Sequence, residues 1–183
     1  MKSVLFLLAS SRIDGNAELL AREAAKQLPG TVEQHWVRLS EFPLDAFEDV
    51  RHEGERTYEM PTGNAKELID LTLAADHIVF AAPVYWYSMP APAKLYLDHW
   101  SHWMRVPGLD FRKRMSGKTI YLTSAMAGDD AHEVQPLIQS LQLTASYLGM
   151  EWGGHVLAHA NAAGDVLQQS STLRRASVLL GGS

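Results

Sequence analysis

The chain has 183 residues, a formal net charge of −5, 46% hydrophobic residues and 20% charged residues, which is ordinary for a soluble globular protein. No apolar run approaches the roughly 20 residues of a membrane span, and no dense Lys/Arg stripe marks a nucleic-acid-binding surface. The absence of cysteine excludes disulfides, cysteine nucleophiles and thiolate-bound metal clusters. We therefore expect one domain over residues 1–183, with no signal peptide and a cytoplasmic location.

The first predicted elements are a buried strand and a helix, joined by a polar turn. Residues 4–9 are wholly apolar, as in strands of parallel sheets, and residues 17–28 carry apolar side chains at nearly helical spacing. Backbone N–H groups and the helix dipole would meet at the turn between them, where they attract an anion such as phosphate. The simpler interpretation is that Asn16 caps the helix and Gly15 forms the turn, whether or not a ligand binds.

Strands are then predicted over residues 32–39, 78–82, 118–124 and 152–160, and helices over 63–75, 91–104, 132–148 and 165–179. The polar and apolar mixture at 32–39 is typical of an edge strand. The long connection over residues 40–62 is either a functional cover or a loose surface loop, and its charges favour the loop. Alternating strands and helices predict an α/β fold with a doubly wound parallel sheet.

Three loops should converge in such a fold, because ligands bind outside the carboxyl ends of parallel strands. These loops are residues 10–16, 83–90 and 124–130. In the second loop, Tyr85, Trp86 and Tyr87 are consecutive, so at least one ring should meet solvent, a partner or a planar ligand. The alternative is that Tyr85 and Trp86 pack under the next helix or fill an oligomer interface.

Several other signals favour structural roles. His99 and His102 have helical spacing, but no third metal ligand follows at a recognisable distance, so we expect no metal and place both on the exposed side of their helix. Trp100 and Trp103 belong to the core or to a homodimer surface. Residues 116–119 resemble the end of a phosphate-binding P-loop but lack its earlier glycine, so we interpret them as a turn. Residues 129 and 130, both Asp, should cap the following helix.

Two stretches resemble the flavodoxin-like NAD(P)H-dependent FMN reductases and quinone reductases. One is Ser-Ser-Arg-Ile-Asp-Gly-Asn at 10–16, and the longer, more specific one is Ala-Pro-Val-Tyr-Trp-Tyr-Ser-Met-Pro-Ala-Pro-Ala-Lys-Leu-Tyr-Leu-Asp at 82–98. The resemblance covers nearly the whole chain, although the tail beyond Ala160 adds little to it. It implies a flavodoxin-like sheet of five strands in the order 2-1-3-4-5.

The resemblance also implies non-covalently bound FMN, with a set of binding residues in each of the three loops. The phosphate loop would supply Ser10, Ser11, Arg12, Gly15, Asn16 and Ala17; the loop along the flavin ring Pro83, Val84, Tyr85, Trp86, Tyr87 and Ser88; and the third loop Ser124, Ala125 and Gly128, which match in position more than in identity. Ala9 stands where the family often has Gly. Ala17 stands where it often has Thr or Ser, which removes a phosphate-binding hydroxyl and predicts weaker retention of FMN.

The implied activity is hydride transfer from NADPH or NADH through FMN to a quinone, a free flavin or a similar small acceptor. Such transfer needs no protein nucleophile, so no catalytic residue is assigned, and a proton donor such as Tyr87 or His99 stays open. Arg12 is either a phosphate or NADPH ligand or a solvated surface charge. Two other functions stay open: a non-enzymatic flavodoxin-type electron carrier, and a phosphate-binding regulatory module without redox chemistry.

Overall fold

One parallel sheet forms the centre of the computed structural model, which describes residues 1–50, 52, 54 and 57–181. Its strands run in the order β2-β1-β3-β4-β5, so the predicted fold class and strand order are confirmed. The strands are β1 (Ser3–Leu8), β2 (Glu33–Arg38), β3 (His77–Ala81), β4 (Thr119–Met126) and β5 (Glu151–His159). As predicted, β2 lies at an edge of the sheet.

Six α-helices among the described residues flank the sheet. They are α1 (Asn16–Ala25), α2 (Gly63–Ala74), α3 (Ala91–Trp103), α4 (Phe111–Met115), α5 (Gln135–Leu148) and α6 (Ser170–Ser177). Short 3₁₀ turns occupy Leu39–Glu41, Ala131–Val134 and Asp165–Gln168. No helix in the described part of the chain combines the length and apolarity needed to cross a membrane.

Two of the predicted helices are each divided in the structure, and one short helix was not predicted. The helix predicted at 132–148 divides into a 3₁₀ turn and α5, because Pro136, which has no N–H to donate, is accommodated in the first turn of α5. The helix predicted at 165–179 also divides, at Gln169. The sequence also predicts that Gly181 and Gly182 end this helix, and Gly182 lies outside the described residues. The short helix α4 had no sequence prediction.

Both faces of the central strands are buried, which explains their wholly apolar sequences. Leu5 and Ile78 face a core layer formed with α2, α3 and α5, whereas Phe6 and Val79 face the layer that includes α1. Each of these four side chains has no exposed surface, and burying one stabilises the fold by about 1.5–3 kcal/mol. The carboxyl ends of β1 and β3 are therefore held rigidly.

The aromatic residues of α3 belong to this core. Trp100 is 3% exposed and Trp103 fully buried, and both rings meet Phe111 edge-on with centroids 5.7 and 5.6 Å apart. The alternative that these two tryptophans form a homodimer surface is therefore wrong for Trp103 and unsupported for Trp100. Helical spacing alone does not separate a core stripe from an interface stripe.

The described residues of the connection after β2 include several that pack on the fold, in contrast to the loose surface loop that the charges favoured. Phe42, Leu44 and Tyr58 contact the core, and the described residues of this connection cover the two histidines of α3. His99 is 7% exposed and its Nε2 lies 2.9 Å from the carbonyl oxygen of Asp45. The predicted exposed position is therefore wrong for His99, whereas His102 is partly exposed, with its Nε2 3.3 Å from the carbonyl oxygen of Glu59. The prediction for residues 51, 53, 55 and 56 lies outside the described residues.

Candidate functional site

A cavity of about 250 Å³ lies at the carboxyl edge of the sheet, and all three predicted loops line it. The loops therefore converge as the parallel topology predicts. Nine of the predicted binding residues line the cavity: Ser10, Arg12, Gly15, Asn16, Ala17, Pro83, Val84, Tyr85 and Ala125. Six others do not: Ser11, Trp86, Tyr87, Ser88, Ser124 and Gly128.

The first turn of α1 points into this cavity. Gly15 is the N-cap residue, and no side chain caps the helix by a hydrogen bond. The first N–H groups of a helix have no partner within it, and they carry the positive end of the helix dipole. Residues 15–18 all line the cavity, so the uncapped N-terminus offers hydrogen-bond donors to an anion there.

Asn16 does not cap the helix, and the prediction that it does is wrong. It is the first residue of α1, and its side chain reaches the segment that follows β5. Its Nδ2 donates to the carbonyl oxygen of Ala162 at 2.8 Å, and its Oδ1 accepts from the Val166 N–H at 3.3 Å. Asn16 therefore joins two loops at the cavity and leaves the helix N-terminus free.

A buried ion pair lies beside the helix N-terminus. Glu18 is 3% exposed, and its Oε2 accepts a hydrogen bond of 2.8 Å from Nη2 of Arg38, the last residue of β2. Arg22 binds the other carboxylate oxygen at 2.6 Å. Burial alone would raise the pKa of Glu18, but the hydrogen bonds and charges of Arg38 and Arg22 lower it below its ordinary value. The carboxylate is therefore ionised at neutral pH.

Arg12 differs from Arg38 in its freedom. Its side chain is exposed, and its Nη1 donates a long hydrogen bond of 3.5 Å to the carbonyl oxygen of Asn161. A contact of this length is weak. The Arg12 guanidinium can therefore turn toward a ligand in the cavity at little cost.

The aromatic loop is a tight two-residue turn. Tyr85 and Ser88 exchange backbone hydrogen bonds of 2.9 and 3.1 Å, and the two residues between them, Trp86 and Tyr87, have φ values of 50° and 63°. Positive φ at both central residues defines a type I′ turn, which favours Asn and Gly and is strained for large side chains. The sequence therefore accepts backbone strain at the mouth of the cavity.

The rings of this turn are open to solvent. Trp86 is 94% exposed, Tyr85 50% and Tyr87 54%. The prediction that at least one ring leaves the core is confirmed, and the alternative that Tyr85 and Trp86 pack under α3 is wrong. The turn is fixed to the sheet, because the Val84 N–H donates to the carbonyl oxygen of Ala125 at 2.9 Å.

In the third loop, the predicted hydroxyl faces the protein. Ser124 is fully buried and its Oγ donates to the carbonyl oxygen of Ala82 at 2.7 Å. The reason is that β4 continues to Met126, two residues beyond its predicted end, so Ser124 lies inside the strand. The carbonyl oxygen of Gly128 lies 2.9 Å from Nδ1 of His159. Met126 and Ala127 line the cavity instead.

Sequence analysis missed the cavity residues supplied by the two outer strands. Arg38 is the last residue of β2, and Ala160 and Asn161 follow β5. The signal was available, since every strand of a parallel sheet ends at the same edge, but only the loops after central strands were considered. His99 does not line this cavity, and within the described residues no group of three acidic or histidine side chains is arranged for a metal ion.

Comparisons with known proteins agree with this architecture. The family model described as flavodoxin-like fold matches residues 2–177. A *Bacillus subtilis* protein with the provisional name NAD(P)H-dependent FMN-containing oxidoreductase YwqN is 31% identical over 171 residues, covering 93% of this chain and 92% of its own. The FMN-dependent NADH:quinone oxidoreductase 8 of *Burkholderia lata* is 34% identical over 82 residues, 45% of this chain and 38% of its own. The structure titled Trp repressor binding protein from *Bacillus subtilis* superimposes with a TM-score of 0.77 at 26% identity, covering 98% and 99% of the two chains.

Proposed function

This chain belongs to the flavodoxin-like fold family, and we propose that it is an FMN-dependent oxidoreductase that takes its electrons from NADPH or NADH. The names of its relatives support FMN and NAD(P)H as the cofactor and the electron donor. The observation that carries the proposal is the meeting of an uncapped helix N-terminus and an exposed aromatic turn at one cavity. A phosphate and a planar ring need those two surfaces.

The residues of the cavity fit FMN. The first-turn N–H groups of α1, the Ser10 hydroxyl and the exposed Arg12 guanidinium would hold the phosphate. A volume of about 250 Å³ is at the low end for ligand pockets, so it suits the phosphate and its polar chain. The flavin ring would then extend to Tyr85 and Trp86. The binding roles of all fifteen predicted residues remain part of this proposal.

FMN, when bound, would supply the hydride- and electron-transfer chemistry. The task of the chain is to bind and orient. Val84 fixes the aromatic turn to β4 through its 2.9 Å hydrogen bond, and Tyr85 would shield one face of the ring from water. Because the transfer occurs between cofactor and substrates, the chain needs no nucleophile.

We further propose a quinone, a free flavin or a similar small molecule as acceptor, with the whole chain acting as one domain in the cytoplasm. A homodimer that covers the rings of residues 85–87 is part of the proposal, because three exposed rings in one turn form an apolar patch. An electron carrier without enzymatic activity is the second function that the sequence left open. The names of the relatives, which are names of enzymes, favour the oxidoreductase.

Titration of the purified chain with FMN tests the proposal. We expect a yellow complex, quenched tryptophan fluorescence, and steady NADPH or NADH oxidation when a small quinone is added. FMN binding without nicotinamide oxidation would support the electron carrier. A protein that ignores added FMN would contradict the proposed function altogether.

A further inference from the structure

The Arg38 side chain donates hydrogen bonds to three protein groups around the candidate phosphate loop. Its Nη1 donates to the carbonyl oxygens of Ser10 at 3.0 Å and Arg12 at 3.2 Å, and its Nη2 donates to Glu18 at 2.8 Å. Its side chain is 11% exposed. The planar guanidinium holds three groups in fixed relative positions, which a flexible ammonium cannot do.

The two carbonyl contacts determine the shape of the loop. In a trans peptide, the carbonyl oxygen and the next N–H point in opposite directions because the unit is planar. Holding the carbonyls of Ser10 and Arg12 therefore fixes the orientation of the two peptide planes that follow these residues, and both residues line the cavity. A preorganised loop binds an anion more tightly, because ordering it during binding would cost free energy.

The contact with Glu18 has an electrostatic role. Glu18 lines the cavity in the first turn of α1, and an ionised carboxylate there repels a phosphate dianion. Arg38 and Arg22 both neutralise it, but of the two only Arg38 lines the cavity and binds the loop carbonyls. Removal of Arg38 would therefore loosen the loop. It would also leave the Glu18 carboxylate with Arg22 as its remaining arginine partner, so that Glu18 would repel the phosphate more strongly.

We propose that Arg38 is the positioning residue of the phosphate loop: it orients the loop backbone and balances Glu18, while Arg12 closes on the phosphate itself. This inference rests on the proposed function, since it assumes that the phosphate belongs to FMN. The two arginines of the site, Arg38 and Arg12, differ in how many of their donors already bind protein atoms. The hydrogen bonds of Arg38 are largely committed to protein atoms, and Arg12 has one weak contact.

The test compares FMN with riboflavin, which has the same ring and no phosphate. Dissociation constants of both are measured by fluorescence titration for the wild type and for Arg38→Met. We expect FMN binding to weaken at least about tenfold, the equivalent of one charge-assisted hydrogen bond, and riboflavin binding to change less than about twofold. If Arg38 had a purely structural role, the variant would bind both ligands more weakly by the same factor. The ratio of FMN affinity to riboflavin affinity would then be unchanged.

Arg22→Ala is the matched control, since it removes the other partner of Glu18 but none of the carbonyl contacts. We expect it to change the FMN-to-riboflavin ratio by less than about threefold. In the double variant Glu18→Gln/Arg38→Met, the repulsion is gone, so part of the lost FMN affinity should return. Absence of any recovery would overturn the charge-balancing role.

An unchanged ratio in Arg38→Met would overturn the whole inference while leaving the proposed function intact. A wild type that binds neither flavin would overturn both. If Arg38→Met does not fold, as judged by circular dichroism, Arg38→Lys replaces it: this variant keeps the charge but not the fork. A fall in the ratio of FMN affinity to riboflavin affinity that is smaller than the fall expected for Arg38→Met would then support the inference. No fall in this ratio would overturn it.

Discussion

The Asn16 side chain joins the start of α1 to the segment after β5 by hydrogen bonds to Ala162 at 2.8 Å and Val166 at 3.3 Å. Asn16 is 6% exposed, so its removal would leave the buried Val166 N–H and the part-buried Ala162 carbonyl without this partner. We expect Asn16→Ala to lower the free energy of unfolding by about 1–3 kcal/mol. Urea denaturation measures the change. Gln139→Ala, at an exposed position on α5, is the control. Equal stability of Asn16→Ala and wild type would contradict the prediction.

Ala17→Ser should strengthen FMN binding. Ala17 is 2% exposed in the first turn of α1 and lines the cavity, so a serine there would add a hydroxyl donor beside the phosphate. One such bond contributes about 0.5–1.5 kcal/mol, which predicts FMN affinity up to about tenfold higher and riboflavin affinity unchanged. Ala65→Ser, in the first turn of α2, is the control. Equal strengthening of both flavins would show that the hydroxyl does not act on the phosphate.

Tyr87→Gly should stabilise the free protein. Tyr87 has φ of 63° in the type I′ turn, where glycine is unstrained and a large side chain costs about 1–3 kcal/mol. Because the ring is 54% exposed, little burial is lost, and we expect the free energy of unfolding to rise by about 1 kcal/mol. Tyr87→Ala removes the ring but keeps a Cβ at positive φ, so it should not stabilise. Equal effects of the two variants in thermal or urea unfolding would contradict this account.

Glu18 should make stability depend on pH under acidic conditions. Burial opposes ionisation, yet its arginine partners bring the folded-state pKa below the ordinary 4.5. A depressed carboxyl pKa stabilises the fold above the unfolded-state pKa, and this stabilisation disappears as pH falls through the folded-state value. The stability difference between wild type and Glu18→Gln should therefore shrink as pH is lowered from about 5. Glu67→Gln, exposed on α2, is the control, and a pH-independent difference for Glu18→Gln would contradict the assignment.

Sequence reasoning succeeded where short-range pattern and topology were sufficient. The apolar runs of β1 and β3 predicted a parallel sheet, and that topology predicted the convergence of three loops. It failed where a side chain's partner lies far along the chain. Asn16 was assigned as a cap because its contacts with Ala162 and Val166 are invisible locally, and His99 was placed in solvent because the covering connection comes before α3. The inward direction of the Ser124 hydroxyl was not predicted, because β4 runs two residues beyond its predicted end.

Arg38 also belongs to an edge strand, and in the described part of the chain β1 is the neighbour of that strand in the sheet. Edge strands open more readily than central ones, and each opening of the end of β2 would carry away the group that shapes the loop after β1. Local opening of the edge strand and release of the ligand would then be coupled. Amide protons of β2, although remote in sequence from residues 10–16, should exchange with solvent more slowly once the cavity is filled.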